Sequence, residues 1–140
     1  MNIPFSSALA IDDLDRHPVR LLDVGKMVEW TDFLWTNPWI DHPLNKEMIT
    51  DAEEHRPPPT FVSTDWTYRE HMGRVAYIAK RRDQHRDPIT VEVDHVGPLV
   101  IDGNHRLAAW WFADEPTIAV RIINQGGALP SWVTESQVVK

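Results

Sequence analysis

The residues best suited to chemistry lie in one stretch, PLVIDGNHRLAAWW, residues 98–111. It reads as a short strand, a glycine turn and a helix that begins at once. The first N–H groups of a helix have no intrahelical acceptor and carry partial positive charge, which suits an oxyanion such as phosphate. Gly103 permits a tight turn and puts no Cβ between the backbone and a ligand. Arg106, in the first turn, can offer a forked, charge-assisted contact to phosphate oxygens. His105 can donate or accept a further hydrogen bond or carry a proton. Asp102 could cap the helix, orient His105 or Arg106, or bind a metal that rides on phosphates. Asp102 and His105 are therefore the candidate catalytic residues, and Gly103, Asn104, His105 and Arg106 the candidate binding turn. Spacing alone leaves a plainer reading open, in which Asp102 only caps and His105 and Arg106 are exposed first-turn residues.

The surrounding elements must hold that turn in place. Val19 to Val24 (VRLLDV) alternates and is β-branched, as a strand would be, and Gly25 ends it. Lys26 to Trp35 reads as a helix, with Met27, Trp30, Phe33 and Leu34 on one face. Asn37-Pro38 stops it, and residues 37–65 read as an insert of loop with a short helix between Leu44 and His55. Pro57-Pro58-Pro59 reads as a stiff extended spacer. Asp65 is the expected N-cap of a helix from about Trp66 to Arg82, whose apolar stripe is Met72, Val75, Ala76 and Ala79. Ile89–Val93 and Pro98–Ile101 form an expected hairpin around Asp94–Gly97. Asn104–Ala113 follows as a buried helix and Thr117–Ile123 as a strong strand. The order strand, helix, insert, helix, strand, strand, helix, strand predicts a small mixed α/β (α+β) fold: a short mixed sheet with flanking helices. Residues 1–17 read as an acidic lead-in, 18–125 as the domain, and 126–140 as a tail or edge strand.

The 140 residues amount to about one domain. With 42% apolar and 25% charged residues the chain is globular in type. There is no cysteine, which removes disulfides, thiolate metal sites and thiol catalysis. No apolar run approaches the ~20 residues that span a bilayer. The first residues lack a basic segment and carry three aspartates, so a cytoplasmic protein is expected. The net charge of −7 disfavours general DNA binding, which rewards basic residues. The charge is uneven: residues 1–65 carry 12 acidic and 5 basic side chains, and residues 66–140 carry nine of each. Arg69 to Arg86 holds six bases against Glu70 and Asp83, so an anionic ligand would be favoured beside it. Arg74, Lys80 and Arg81 are the candidates for a second cation there, the alternative being a solvated helix face.

Seven histidines contain no i, i+4 pair and no HExxH. Seven tryptophans are many for this length; Trp30, Trp39 or Trp110 could stack on a base, although core or interface packing is the commoner role. Neither a G-x-S-x-G elbow nor a Walker A loop is present.

The stretch Asp87 to Ile123 resembles the ParB/sulfiredoxin superfamily, on Pro88-Ile89-Thr90-Val91 and Asp102-Gly103-Asn104-His105-Arg106-Leu107-Ala108-Ala109. The helix 66–82 and the strand 19–24 fall in that family's order, while the insert at about 37–65 departs from it. The resemblance implies that the Gly-x-x-Arg turn cradles the phosphates of ATP or CTP, with Mg²⁺ carried by the nucleotide and met by Asp102. It implies NTP hydrolysis or phosphoryl transfer if there is catalysis, since positioning and charge neutralisation supply most of such a reaction. Asn104 stands where sulfiredoxins carry cysteine, which excludes sulfinic-acid reduction. ParB-type partition proteins add a helix-turn-helix domain after this module; 34 residues follow Arg106 here, and the first of these finish the same helix and a strand, so sequence-specific DNA partition by this chain alone is not expected. Some members resemble small-molecule kinases with an acidic base near the first strand, where Asp23 and Glu29 lie here.

Two readings from other classes compete. One is a non-catalytic protein-interaction module that uses the acidic, Trp-rich N-terminal half. The other is a ParB-like nuclease, which would need a dense acidic metal site.

Overall fold

The computed structural model describes residues 17–54 and 66–139. The lead-in up to residue 16, the triple proline and Asp65 lie outside the described residues. The fold is mixed α/β, with one five-stranded sheet. The strands are β1 (Val19–Asp23), β2 (Ile89–Val93), β3 (Pro98–Asp102), β4 (Thr117–Asn124) and β5 (Gln137–Val139). Their order across the sheet is β3-β2-β4-β1-β5. The β2–β4 pair is parallel and the other pairs are antiparallel. The helices are α1 (Val24–Trp30), α2 (Phe33–Thr36), α3 (Lys46–Thr50), α4 (Tyr68–Lys80), α5 (Asn104–Phe112) and α6 (Ser131–Thr134). Helix α5 packs on β2 and β4, α1 packs on β1 and α5, and α4 lies along α5. Among the described residues, no helix is long and apolar enough to cross a membrane.

Helix α4 starts at a Thr67 cap, not at Asp65. The Thr67 hydroxyl accepts from the Glu70 N–H, and the Glu70 carboxylate accepts from the Thr67 N–H. This reciprocal box satisfies two orphan donors together. Its expected stripe is core: Met72, Val75 and Ala79 are buried, and Ala76 is half-buried.

The single helix expected from Lys26 to Trp35 is two pieces. Asp32 adopts φ +52, which a helix interior does not tolerate. The Thr31 hydroxyl donates back to the Met27 carbonyl, so α1 ends at Trp30 and α2 begins at Phe33. The inward face survives the break, with Met27 and Phe33 buried and Trp30 and Leu34 partly covered.

The parallel crossover from β2 to β4 positions the site. After β2, the side chain of Asp94 accepts from the N–H groups of Val96 and Gly97 and closes the hairpin. β3 returns beside β2, and α5 then crosses over the sheet. The tail forms a short helix α6 and the edge strand β5. The Arg20 guanidinium donates to the carbonyls of Thr134 and Ser136 and ties that tail to β1.

Candidate functional site

The turn between β3 and α5 is built as its sequence requires. Gly103 is the N-cap at φ +97. A Cβ there would run into the Ile89 side chain, 2.7 Å from the Ile89 Cβ, so the close approach of turn to β2 needs glycine. Gly103 has no side chain to cap with, and no described group accepts from the N–H groups of Asn104, His105 and Arg106. These donors border a cavity of about 620 Å³.

Helix α4 supplies the opposite wall through His71, Arg74 and Ile78, at i, i+3 and i+7 on one face. The insert supplies Pro38 and Trp39, and Trp66 and His85 complete the rim. Nδ1 of His71 lies 2.9 Å from Nε2 of His105, a hydrogen bond that joins α4 to α5. The ring centroids are 5.1 Å apart and the planes differ by 16°. Since the nitrogens are much closer than the centroids, they lie between two nearly coplanar rings. Trp39 is stacked over both rings, at 4.7 Å from His105 and 5.4 Å from His71, and Trp66 meets both at a tilt. Burial, with His71 and Arg74 close by, drives the His105 pKa down to about 3. His105 is therefore a neutral hydrogen-bonding group at physiological pH and does not carry the second ring proton there.

Two arginines, Arg74 and Arg106, line the cavity. Burial pulls the Arg74 guanidinium below its usual range, and it lies 5.2 Å from the centre of the Tyr77 ring. No described carboxylate pairs with Arg74. Burial, then the charges of Arg74, Arg106 and Arg81, hold His85 below the ordinary histidine value. The cavity wall is thus electropositive despite the acidic chain.

Arg106 is placed differently from the expectation of a phosphate fork. Its Nη1 donates to the carbonyl of Asp87 at 2.6 Å and of Pro88 at 3.3 Å, and its Nη2 donates to Asp102 Oδ2 at 3.1 Å. Only 17% of its side chain is exposed. The segment before β2 leaves those carbonyls without ladder partners, and the guanidinium satisfies them. Asp102 does not cap α5; it pairs with Arg106.

Lys80 and Arg81 are not brought to the cavity. Both pair with Glu54 of the insert, and Arg81 also lies over Tyr77. Arg82 pairs with Glu115. Asp23 caps α1 by accepting from the Lys26 N–H, and Glu29 borders a separate groove of about 490 Å³. Trp30 meets Trp132 edge-on beside that groove, and Trp110 packs against the core, so of the three tryptophans considered only Trp39 reaches the cavity.

Asp102 is the one carboxylate among the described lining residues, and one of its oxygens already accepts from Arg106. Among the described residues, no three of His, Asp or Glu converge as metal ligands. Asp102 is thus one of the several oxygen ligands that a Mg²⁺ ion takes, with one of its oxygens on Arg106.

Sequence reasoning passed over His71, Trp66 and His85. The signal for His71 was its spacing from Arg74 and Ile78, a polar stripe beside the apolar one on α4. Comparison with protein-family models, curated proteins and solved structures found no match.

The arrangement can hold an anion against Arg74 and the open amides of α5. It offers neutral imidazole for hydrogen bonding and indole walls for an aromatic group.

Proposed function

We propose that the cavity at the start of α5 binds a nucleotide through its phosphate, with Arg74 as the cation that meets it. The observation that carries this reading is Arg74 itself: a half-buried guanidinium in a cavity wall with no described carboxylate beside it. Leaving a desolvated charge unpaired is costly, and an anionic ligand removes that cost. The amides of Asn104, His105 and Arg106 border the same space, and Trp39 and Trp66 give a base an aromatic wall. The resemblance of Asp102–Ala109 to the Gly-x-x-Arg turn of ATP- and CTP-binding proteins supports the same ligand class. In this reading Arg106 and Asp102 are positioning residues that fix the turn, and His105 is a neutral hydrogen-bonding partner for the ligand.

A thermal-shift panel of AMP, CMP, ATP and CTP, with and without Mg²⁺, tests it. A ligand at 100 times its Kd stabilises by about 2.7 kcal/mol, enough to move the melting point clearly. At the same ligand concentration, Arg74→Gln should cut the stabilisation to about half or less without lowering the ligand-free melting point. A panel in which no nucleotide moves the wild-type protein refutes the reading.

A further inference from the structure

We infer that this cavity is matched to a single phosphoryl group, so that its ligand is a nucleoside monophosphate and not a triphosphate. The inference rests on the reading of the cavity as a nucleotide site and narrows it.

The argument is an inventory of positive charge. Two arginines line the cavity, Arg74 and Arg106, and one of them is already committed. Arg106 gives its guanidinium to Asp102 and to the carbonyls of Asp87 and Pro88. Lys80 and Arg81 are held by Glu54. Of the lining histidines, burial and nearby positive charge hold His85 and His105 below the ordinary histidine pKa. Arg74 is left as the one lining cation without a described acidic partner.

A phosphate monoester carries about −1.5 to −2 at neutral pH. One guanidinium and a set of backbone amides answer that charge. A triphosphate brings two further phosphoryl groups, and each would be desolvated beside neutral imidazole, indole and the Asp102 carboxylate. Like charge facing Asp102 is unfavourable, and among the described residues no second lining arginine or lysine is free to offset it. The cavity is much larger than a bare phosphate ion needs, and its remaining wall is aromatic and aliphatic, from Trp39, Trp66 and Ile78. That wall fits a nucleoside.

Isothermal titration calorimetry on the full chain, in EDTA and again in Mg²⁺, tests the inference with AMP, CMP, ATP, CTP, inorganic phosphate and the free nucleosides. The expected result is that AMP or CMP binds at least as tightly as its own triphosphate under both conditions. Inorganic phosphate and nucleoside alone should each bind at least about tenfold more weakly than the monophosphate. Arg74→Gln should weaken the monophosphate by about tenfold or more, as loss of a charge-assisted contact does, with Arg74→Lys restoring part of it. A triphosphate that binds more than about threefold tighter than its monophosphate in either condition overturns the inference and leaves the nucleotide reading standing. Inorganic phosphate binding as tightly as AMP and CMP overturns both, as does the absence of any nucleotide binding. An Arg74→Gln protein that keeps its melting point and its affinity overturns the assignment of the cation.

Discussion

His71 on α4 and His105 on α5 share a 2.9 Å hydrogen bond beneath the Trp39 indole. One ring nitrogen of the pair must be bare to accept from the other, so the bond cannot form once both rings are fully protonated. The same contact forms part of the cavity wall, so the packing of the helices and the chemistry of the cavity share one pair of side chains.

The shift of His105 makes stability depend on pH. Its pKa is about 3 in the folded protein against an ordinary 6.5. The unfolded chain takes up a proton at this position as pH falls through the ordinary value, while the folded chain does not until near pH 3. Stability is therefore undiminished above the ordinary value and is lost as pH falls between the two. One such group contributes a slope of at most about 1.4 kcal/mol per pH unit. Urea denaturation from neutral pH down to about pH 5 should show this decline, and His105→Asn should flatten it. Parallel curves for the two proteins would show that His105 is not the group responsible.

At Gly103 two costs of substitution can be separated. Gly103→Ala meets both the positive φ and the Ile89 side chain. Gly126 has a nearly equal φ of +94 and nothing within 4 Å of a Cβ. Gly126→Ala should cost about 1 kcal/mol, the backbone part alone. Gly103→Ala should cost about 2–4 kcal/mol, because overpacking adds to it. Equal costs in urea titrations would mean that Ile89 yields freely and that the turn is looser than its geometry implies.

How far the site was legible depends on whether its contacts are local. Ile89–Val93 alternates and is enclosed by turn residues, and it forms a strand with those bounds. The turn at Gly103 and the start of α5 are likewise encoded within a few residues. The break at Asp32 was not legible, because Met27, Trp30, Phe33 and Leu34 keep helical spacing across it and the left-handed residue is not a glycine. The His71–His105 bond spans 34 residues and the Trp39 stack on His105 spans more, and no local pattern announces either. Arg106 shows the reverse case. Its type and position pointed to a ligand, yet nearby carbonyls from the segment before β2 took the guanidinium first.

Arg106 and Arg74 should therefore respond differently to mutation. Arg106→Ala strands the carbonyls of Asp87 and Pro88 and releases the segment before β2, with an expected loss of about 1–3 kcal/mol. Arg106→Lys should recover little of this, since an ammonium cannot reproduce the fork across two carbonyls and a carboxylate. Arg74→Gln should leave the ligand-free stability within about 0.5 kcal/mol, or raise it by removing a desolvated charge. Guanidinium denaturation of the three variants measures this, and an Arg106→Ala protein as stable as wild type would show that the clamp is not structural.

Glu92 offers a stabilising change away from the cavity. It sits mid-strand in β2, opposite Leu99 and Ile123, and is 6% exposed. Its Oε2 is buried with no hydrogen-bond partner among the described residues. Burial raises its pKa, and the charge of Asp94 adds to the rise. The folded state thus holds this proton more tightly than the unfolded chain does, so stability falls as pH rises through the ordinary glutamate value to the folded one, and stays lower above it. Glu92→Gln keeps the shape and removes the charge. It should stabilise the protein by about 1 kcal/mol at neutral pH, and the advantage should vanish as acid protonates the native carboxylate. Melting points of both proteins at neutral pH and near pH 4 measure the difference. A Glu92→Gln protein that melts lower at neutral pH would mean that the carboxylate makes a favourable contact there that glutamine cannot replace.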